Sequence, residues 1–498
     1  MTKKTPCISS QLPLSCRRPV PQLLGLLTCA LLGVTIQVQA APPPMSMPAG
    51  AYDAEAPPAD GVFGFLNTLK RSSVLLGDLW GLRTALSRHG MSLAISETSE
   101  VLGNTSGGTS KGFEYDGLTQ AVLQLDTRRA FGLYGGLFNV SALQLHGKNL
   151  STDKLQTLQT ASGIESDPGT RLWELWYAQK FLDEDRLNVK IGQQSLDQEF
   201  MVSSNALYFV NTMFGWPMLP SADLPAGGPA YPLSALGARI SLRPVDGVTV
   251  LAGVFNGTPL TNPDPDLANK HGTGFPIGNG TMSIVEVQIN TPALGSMVEP
   301  GQAAALGATY RFGAWYNSKQ FADQRFGDDG LALANPASNG QARLHHGNYA
   351  VYAVMDQLLW RDARDPNRSI GVFARIMGTP LKERNLIDFS LNAGLVFHSP
   401  FVYRTTDTFG VGVGYTHVSK QVAAAERDAA LYSGSPGFVR HSESFIETTY
   451  QYQVKPWLQI QPDLQYVFMP GAGVANDSDP IHRIRNELVL GVRTNISF

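Results

Sequence analysis

From Met91 to Phe498 the apolar residues recur mainly at every second position, the period of a β-strand with two unlike faces. The end of the chain shows this best. Leu488, Leu490, Val492, Thr494, Ile496 and Phe498 fall on one face, and Glu487, Gly491, Arg493, Asn495 and Ser497 on the other. The segment before it sets Leu458, Ile460, Leu464, Tyr466 and Phe468 against Gln459, Gln461, Asp463 and Gln465. A packed sandwich core would not keep a polar face so regular, whereas a strand between lipid and a wet lumen must.

Sixteen such segments are predicted, centred near residues 96, 122, 140, 176, 192, 240, 251, 285, 310, 354, 373, 393, 413, 448, 464 and 493. Tight connections at Asp183–Arg186, Pro244–Gly247 and Lys455–Trp457 separate long ones such as 198–235 and 421–440. Short periplasmic turns and long outer loops give that alternation. The expected fold is all-β, a transmembrane antiparallel barrel of 16 strands over 91–498, with both termini on the periplasmic side.

Ahead of the strands the period changes. In LLGDLWGLRTALSRHG, residues 75–90, Leu75, Leu76, Leu79, Leu82 and Leu86 recur near helical spacing, so the 61–90 segment is expected to hold a short amphipathic helix docked at the periplasmic mouth. Residues 41–60 are Pro- and Ala-rich and read as a mobile leader. Before them, Lys3, Lys4, Arg17 and Arg18 precede an apolar stretch from Leu23 to Ile36 that ends at Val38-Gln39-Ala40. This is the order of a secretory signal peptide over 1–40, cleaved after Ala40. Cys7, Cys16 and Cys29 all lie within it, so the mature chain has no disulfide, thiol or cysteine metal chemistry. Its loss leaves 34 Lys and Arg against 41 Asp and Glu, which argues against a nucleic-acid partner.

Projecting alternate residues inward gives the candidate lumen wall. Glu100, Glu174, Trp176, Lys190, Arg239, Arg311, Asp356, Arg375 and Asp463 face the water, if Leu175, Tyr177 and Phe181 face lipid. The alternative for each is a solvated or cross-paired wall residue without solute contact, and for Trp176 an interfacial girdle aromatic. An uncompensated Arg or Lys on the lipid face would cost ~2–4 kcal/mol at the midplane, which favours the lumen. The segment 198–235 carries Phe200, Tyr208, Phe209, Phe214, Trp216 and Tyr231 among Pro and Gly, and so apolar a loop is expected to fold inward as a constriction. A sugar pore needs hydrogen-bonding groups for hydroxyls and an aromatic face for the C–H surface of the ring, binding weakly enough for release.

Other motifs carry less. Gly410, Gly412 and Gly414 alternate with Val411, Val413 and Tyr415 and read as small inward residues of a strand, not a dinucleotide turn. His345-His346 lacks spaced partner ligands for a metal. Asp264 and Asp266 could gather calcium on an outer loop, with a solvated loop as the alternative. No cofactor is expected.

LLGDLWGLRTALSRHG, Glu100 and Asn104 followed by SGG and Tyr115, ELWYAQKF, VKIGQQSLDQEF, YAVYAVMDQLLWR at 349–361 and YQYQVKPWLQIQPDLQYVFMPG at 450–471 together resemble the OprB-type carbohydrate-selective porins. The resemblance covers nearly the whole mature chain. It implies a sixteen-stranded outer-membrane barrel whose third outer loop narrows the pore, passing glucose and related sugars into the periplasm by facilitated diffusion. The closing Phe498 resembles the signal read by the barrel assembly machinery. The leader 41–58 and the loop 262–280 have no counterpart among these motifs. A general-diffusion porin, a barrel enzyme and a secreted carbohydrate-binding β protein are the competing readings, and monomer and homotrimer both stay open.

Overall fold

The structure, a computed structural model, describes residues 73–261, 269–291, 306–365, 367–434, 437–477 and 479–498. The signal peptide, the leader and the Asp264/Asp266 pair lie outside them.

Sixteen antiparallel strands close into one barrel. They are β1 (Met91–Ser106), β2 (Gly112–Asp126), β3 (Gly136–Gly147), β4 (Gly169–Phe181), β5 (Leu187–Gln194), β6 (Ala235–Val245), β7 (Val248–Asn256), β8 (Thr281–Thr291), β9 (Ala308–Gly327), β10 (Ala342–Arg361), β11 (Ser369–Gly378), β12 (Ile387–His398), β13 (Thr408–Val418), β14 (Ser442–Lys455), β15 (Leu458–Phe468) and β16 (Glu487–Ser497). Every predicted centre falls inside its strand. Consecutive strands pair, and β16 closes on β1 with Glu100 opposite Arg493 and Val101 opposite Val492. Closure leaves no unpaired edge, which a span through hydrocarbon requires.

The two faces separate as the alternation demands. Each strand turns at least one large apolar side chain outward, among them Val101 on β1, Ile191 on β5, Val285 on β8, Val351 on β10, Val413 on β13 and Val492 on β16, all more than a third exposed. One outward region departs from this. Glu97 on β1 accepts from Ser99 Oγ at 2.9 Å and Thr119 Oγ1 at 2.5 Å, and His146 on β3 lies 3.4 Å away. His146 also meets Tyr115 OH at 3.0 Å, lying over Gly117, where a side chain would collide with its ring. The carboxylate brings its own partners with it, which is how a charge stays on an outward strand face.

The segment ahead of β1 and the end of β16 share one rim. Leu75 N donates to Ser497 O at 2.7 Å, Phe498 N to Ile95 O at 2.9 Å, and the Arg83 guanidinium to the Phe498 carbonyl. The helix expected over 75–90 is shorter, Leu82–Arg88. Gly77, Leu79, Trp80 and Gly81 all have positive φ, so residues 75–81 form turns instead. Asp78 then reaches past them, accepting from Thr84 N at 2.8 Å and relieving an end the turns would leave bare.

The short turns 182–186, 246–247 and 456–457 lie at this terminal rim, and loops 195–234 and 419–441 at the far one. Loop 419–441 holds an element the strand pattern did not predict, the helix Lys420–Ser433. Ser419 caps its start and Gly434, at φ 67°, ends it. Its Asp428 meets Arg325 at 2.7 Å on the hairpin of β9 and β10, whose 20-residue strands run on past the barrel.

Candidate channel constriction

The third far-end loop, residues 195–234, enters the lumen and crosses it. Its apolar side chains bury almost completely: Phe200 at 2 % exposure, Phe214, Trp216 and Tyr231 at 1 %, and Phe209 at 5 %. Phe209 and Phe214 stack 4.4 Å apart and meet Phe373 of β11 at 5.6 and 5.7 Å, while Phe445 of β14 lies 5.4 Å from Phe214. The glycine row of β13 makes room for them. A Cβ on Gly410 would come within 2.8 Å of the Phe209 ring, and one on Gly412 within 2.6 Å of Phe214. Burying such a ring is worth ~1.5–3 kcal/mol, so the loop gains from the wall what it would lose waving in water.

A buried loop must also satisfy its backbone, and here wall side chains do so. Glu286 of β8 accepts from Met201 N at 2.8 Å. Asp356 of β10 accepts from Ser203 Oγ at 2.6 Å and from Ser204 N and Asn205 N at 3.1 Å each. Glu447 of β14 accepts from Val210 N at 2.6 Å and Asn211 N at 3.0 Å. Arg375 of β11 donates to the carbonyls of Met201 at 2.8 Å, Gly215 at 2.9 Å and Met213. In the other direction, Asp223 at the loop's helix Met218–Asp223 accepts from Leu386 N at 2.9 Å and Ile387 N at 3.2 Å.

A second loop joins it. Residues 148–168, between β3 and β4, also fold inward, with Leu150, Leu155, Ala161 and Ile164 buried. Gly163 N donates to Val210 O at 2.9 Å, Thr212 N to Thr160 O at 3.2 Å, and Tyr231 OH to Ile164 O at 3.0 Å, so the two loops form one plug. Glu443 of β14 accepts from Leu158 N at 2.9 Å and Gln159 N at 2.7 Å.

Beside the plug lies a charged group with an aromatic floor. Glu199 of the third loop bridges Lys190 of β5 and Arg239 of β6, the latter at 2.5 Å. Burial pushes the Glu199 carboxyl up, but Lys190 and Arg239 more than reverse this and hold it at about 2. The Lys190 ammonium also lies 4.8 Å from the centre of the Trp176 ring. Trp176 projects inward opposite Gly192 on the next strand, which in turn pairs with Gly237, so no side chain on those two positions covers it. Nearby, burial raises Asp197 to about 6 although Ser195 Oγ and Tyr231 N donate to it at 2.6 and 2.7 Å.

The profile of the carbohydrate-selective porin, OprB family, matches residues 110–498. The chain belongs to this family. It is similar to Porin B of Pseudomonas aeruginosa, 25% identical over 448 residues that span 86% of this chain and 92% of that one. It is also similar to the putative porin QuiX of Acinetobacter baylyi, 21% identical over 426 residues, 81% of this chain and 90% of that one. The high-pH structure of Pseudomonas putida OprB superposes with a TM-score of 0.73 at 23% identity, covering 86% of this chain and all of that one, and so shares the barrel fold.

In this outer-membrane porin the projected wall residues divide into two groups. Arg311, Asp356, Arg375, Glu174 and Glu100 are taken up by the protein itself. Arg311 meets Asp356 at 2.8 Å, Glu174 accepts from Ser195 N at 3.1 Å, and Glu100 pairs with Arg493. Asp463 accepts from Gln465 Nε2 at 2.9 Å, close behind the plug. Trp176, Lys190 and Arg239 form the other group, gathered around Glu199. Of the loop aromatics, Phe200, Phe209, Trp216 and Tyr231 anchor the loop, Trp216 through its Nε1 to Gly227 O at 2.8 Å and Tyr231 against Trp173. Tyr208 packs edge-on to His398 at 5.0 Å.

Projection of the sequence did not single out Glu286, Glu443, Glu447 or Glu199. The first three stand at inward positions of their strands, and the rule that found Asp356 would have found them. Glu199 is on a loop, where no period assigns a face. His345, at the start of β10, meets Asp323 at 2.8 Å, and among the described residues no group of three or more His, Cys, Asp or Glu is placed to hold a metal.

Proposed function

We propose that this porin passes neutral sugars the size of glucose by facilitated diffusion along the wall of β4, β5 and β6, beside the two-loop plug, with Trp176, Lys190, Glu199 and Arg239 as the solute-contacting group. The observation that carries the reading is the inward Trp176 with the Lys190 ammonium at 4.8 Å and Glu199 between two cations. An aromatic face suits the C–H surface of a sugar ring, while the carboxylate accepts from hydroxyls and the cations donate to them. The three charges lean on one another, so a solute hydroxyl exchanges with existing partners and binding stays weak, as passage requires. Nothing in this reading asks bond-breaking chemistry of the protein. The inward charges that hold the plug set the size of the gap and do not touch the solute.

The test is solute uptake and channel block in reconstituted membranes. Trp176→Ala should weaken glucose block of the ion current several-fold while the channel still opens. An unchanged block would remove Trp176 from the path. Asp463 and Glu100 serve as comparison positions, since their substitution should leave the sugar dependence of block unaltered.

A further inference from the structure

At the far rim, where the first and second loops meet the start of β16, one carboxylate stands without a partner. Glu487 is fully buried and neither of its oxygens receives a hydrogen bond. Asn104, near the end of β1 and 1 % exposed, leaves its Oδ1 unpaired as well. Its amide orientation is fixed, because Nδ2 donates to Gly107 O at 3.0 Å and Ser110 O at 2.9 Å.

Both side chains border the same small space. A Cβ on Gly108 would lie 3.3 Å from Glu487 Oε1 and against Nδ2 of Asn104, the amide whose Oδ1 is unpaired. Gly108, at φ 68°, carries none, so the backbone stays clear of the oxygens. Among the described residues no Lys or Arg donates to Glu487. Lys154, whose carbonyl borders the space at 2.7 Å from that Cβ position, turns its ammonium to Glu114 at 3.1 Å. The carboxylate of Glu443 acts on Glu487 through space, and its own oxygens are filled by N–H groups of Leu158, Gln159 and Gly471. It therefore adds a second carboxylate and no donor. A buried carboxylate with no donor to either oxygen calls for a cation between chain segments.

We propose that a calcium ion binds at this rim, held by both oxygens of Glu487 and Oδ1 of Asn104, with water completing its shell. The donors are all hard oxygens, and a bidentate carboxylate with an amide oxygen and several waters suits the adaptable shell of calcium better than the strict octahedron of magnesium. The ion would join β1, β16 and the first loop beside the point where the second loop turns into the lumen. With so few protein ligands the affinity belongs with extracellular modules, Kd ~0.1–1 mM.

Thermal unfolding of the EDTA-treated porin during a calcium titration tests this. The melting temperature should rise and saturate over that range, more with calcium than with magnesium at equal ionic strength, and Glu487→Gln should abolish the response. A wild-type melting temperature equal in EDTA and in calcium overturns the proposal, as does a Glu487→Gln barrel that still responds. Should that variant fail to assemble, equilibrium dialysis of the wild-type porin with radioactive calcium decides: saturable binding supports the site, and its absence overturns it.

Discussion

Asp356 and Arg375 show how a charge inside a channel can serve the chain and not the solute. Asp356 collects one hydroxyl and two backbone N–H groups of the third loop, and Arg375 collects three of its carbonyls. Removing either strands buried polar groups, at ~1–3 kcal/mol for each unsatisfied position. Asp356→Ala is therefore expected to loosen the loop, and single-channel recording should show a larger and noisier conductance than wild type. Glu199 supplies a pH dependence. Its carboxyl sits at about 2 against an ordinary 4.5, so the stabilisation it gives is complete above the ordinary value and is lost as pH falls towards 2. Current noise should rise as pH falls from about 4.5 towards 2, below the range in which Asp197, at about 6, titrates, and Glu199→Gln should lack that acid rise and show its level of noise already at neutral pH.

At the scale of elements, strands were readable because lipid on one side and water on the other impose a period of two on each of them. Parity assigns Trp176, Lys190 and Arg239 to one face, and the structure gathers them around Glu199. The third loop was readable for a different reason, as Phe200, Phe209, Phe214 and Trp216 have no place in an exposed loop. The second loop gave no such sign. Its sequence from Leu150 to Ile164 is mostly polar, and it buries through hydrogen bonds to the third loop and Glu443, a tertiary partnership that no local pattern encodes. The helix Lys420–Ser433 was hidden by the reverse effect, since its Ala-rich run has helical propensity but little apolar contrast between faces. The GxGxG string of β13 gained a reason only when Phe209 and Phe214 were seen to fill its groove. Gly412→Val should push Phe214 off the wall and cost about 1–3 kcal/mol by overpacking, read as a lower unfolding temperature. It should also change sugar permeability, because the plug can move only into the passage.

As a whole molecule the porin is a closed wall with a plug made from its own loops, and the two parts divide the work. The wall satisfies the membrane with outward Val, Leu, Ile and Phe, and the inward charges fix how far the plug intrudes. We propose that selectivity belongs to the strip beside Trp176 and the Lys190–Glu199–Arg239 group. The most direct test of that division is single-channel current through the reconstituted porin during a glucose titration, with wild type and Trp176→Ala compared. A saturable, glucose-dependent block in wild type that weakens several-fold in the variant is the predicted result. A wild-type current indifferent to glucose and to other sugars would contradict it and leave a size-selective pore without a sugar site.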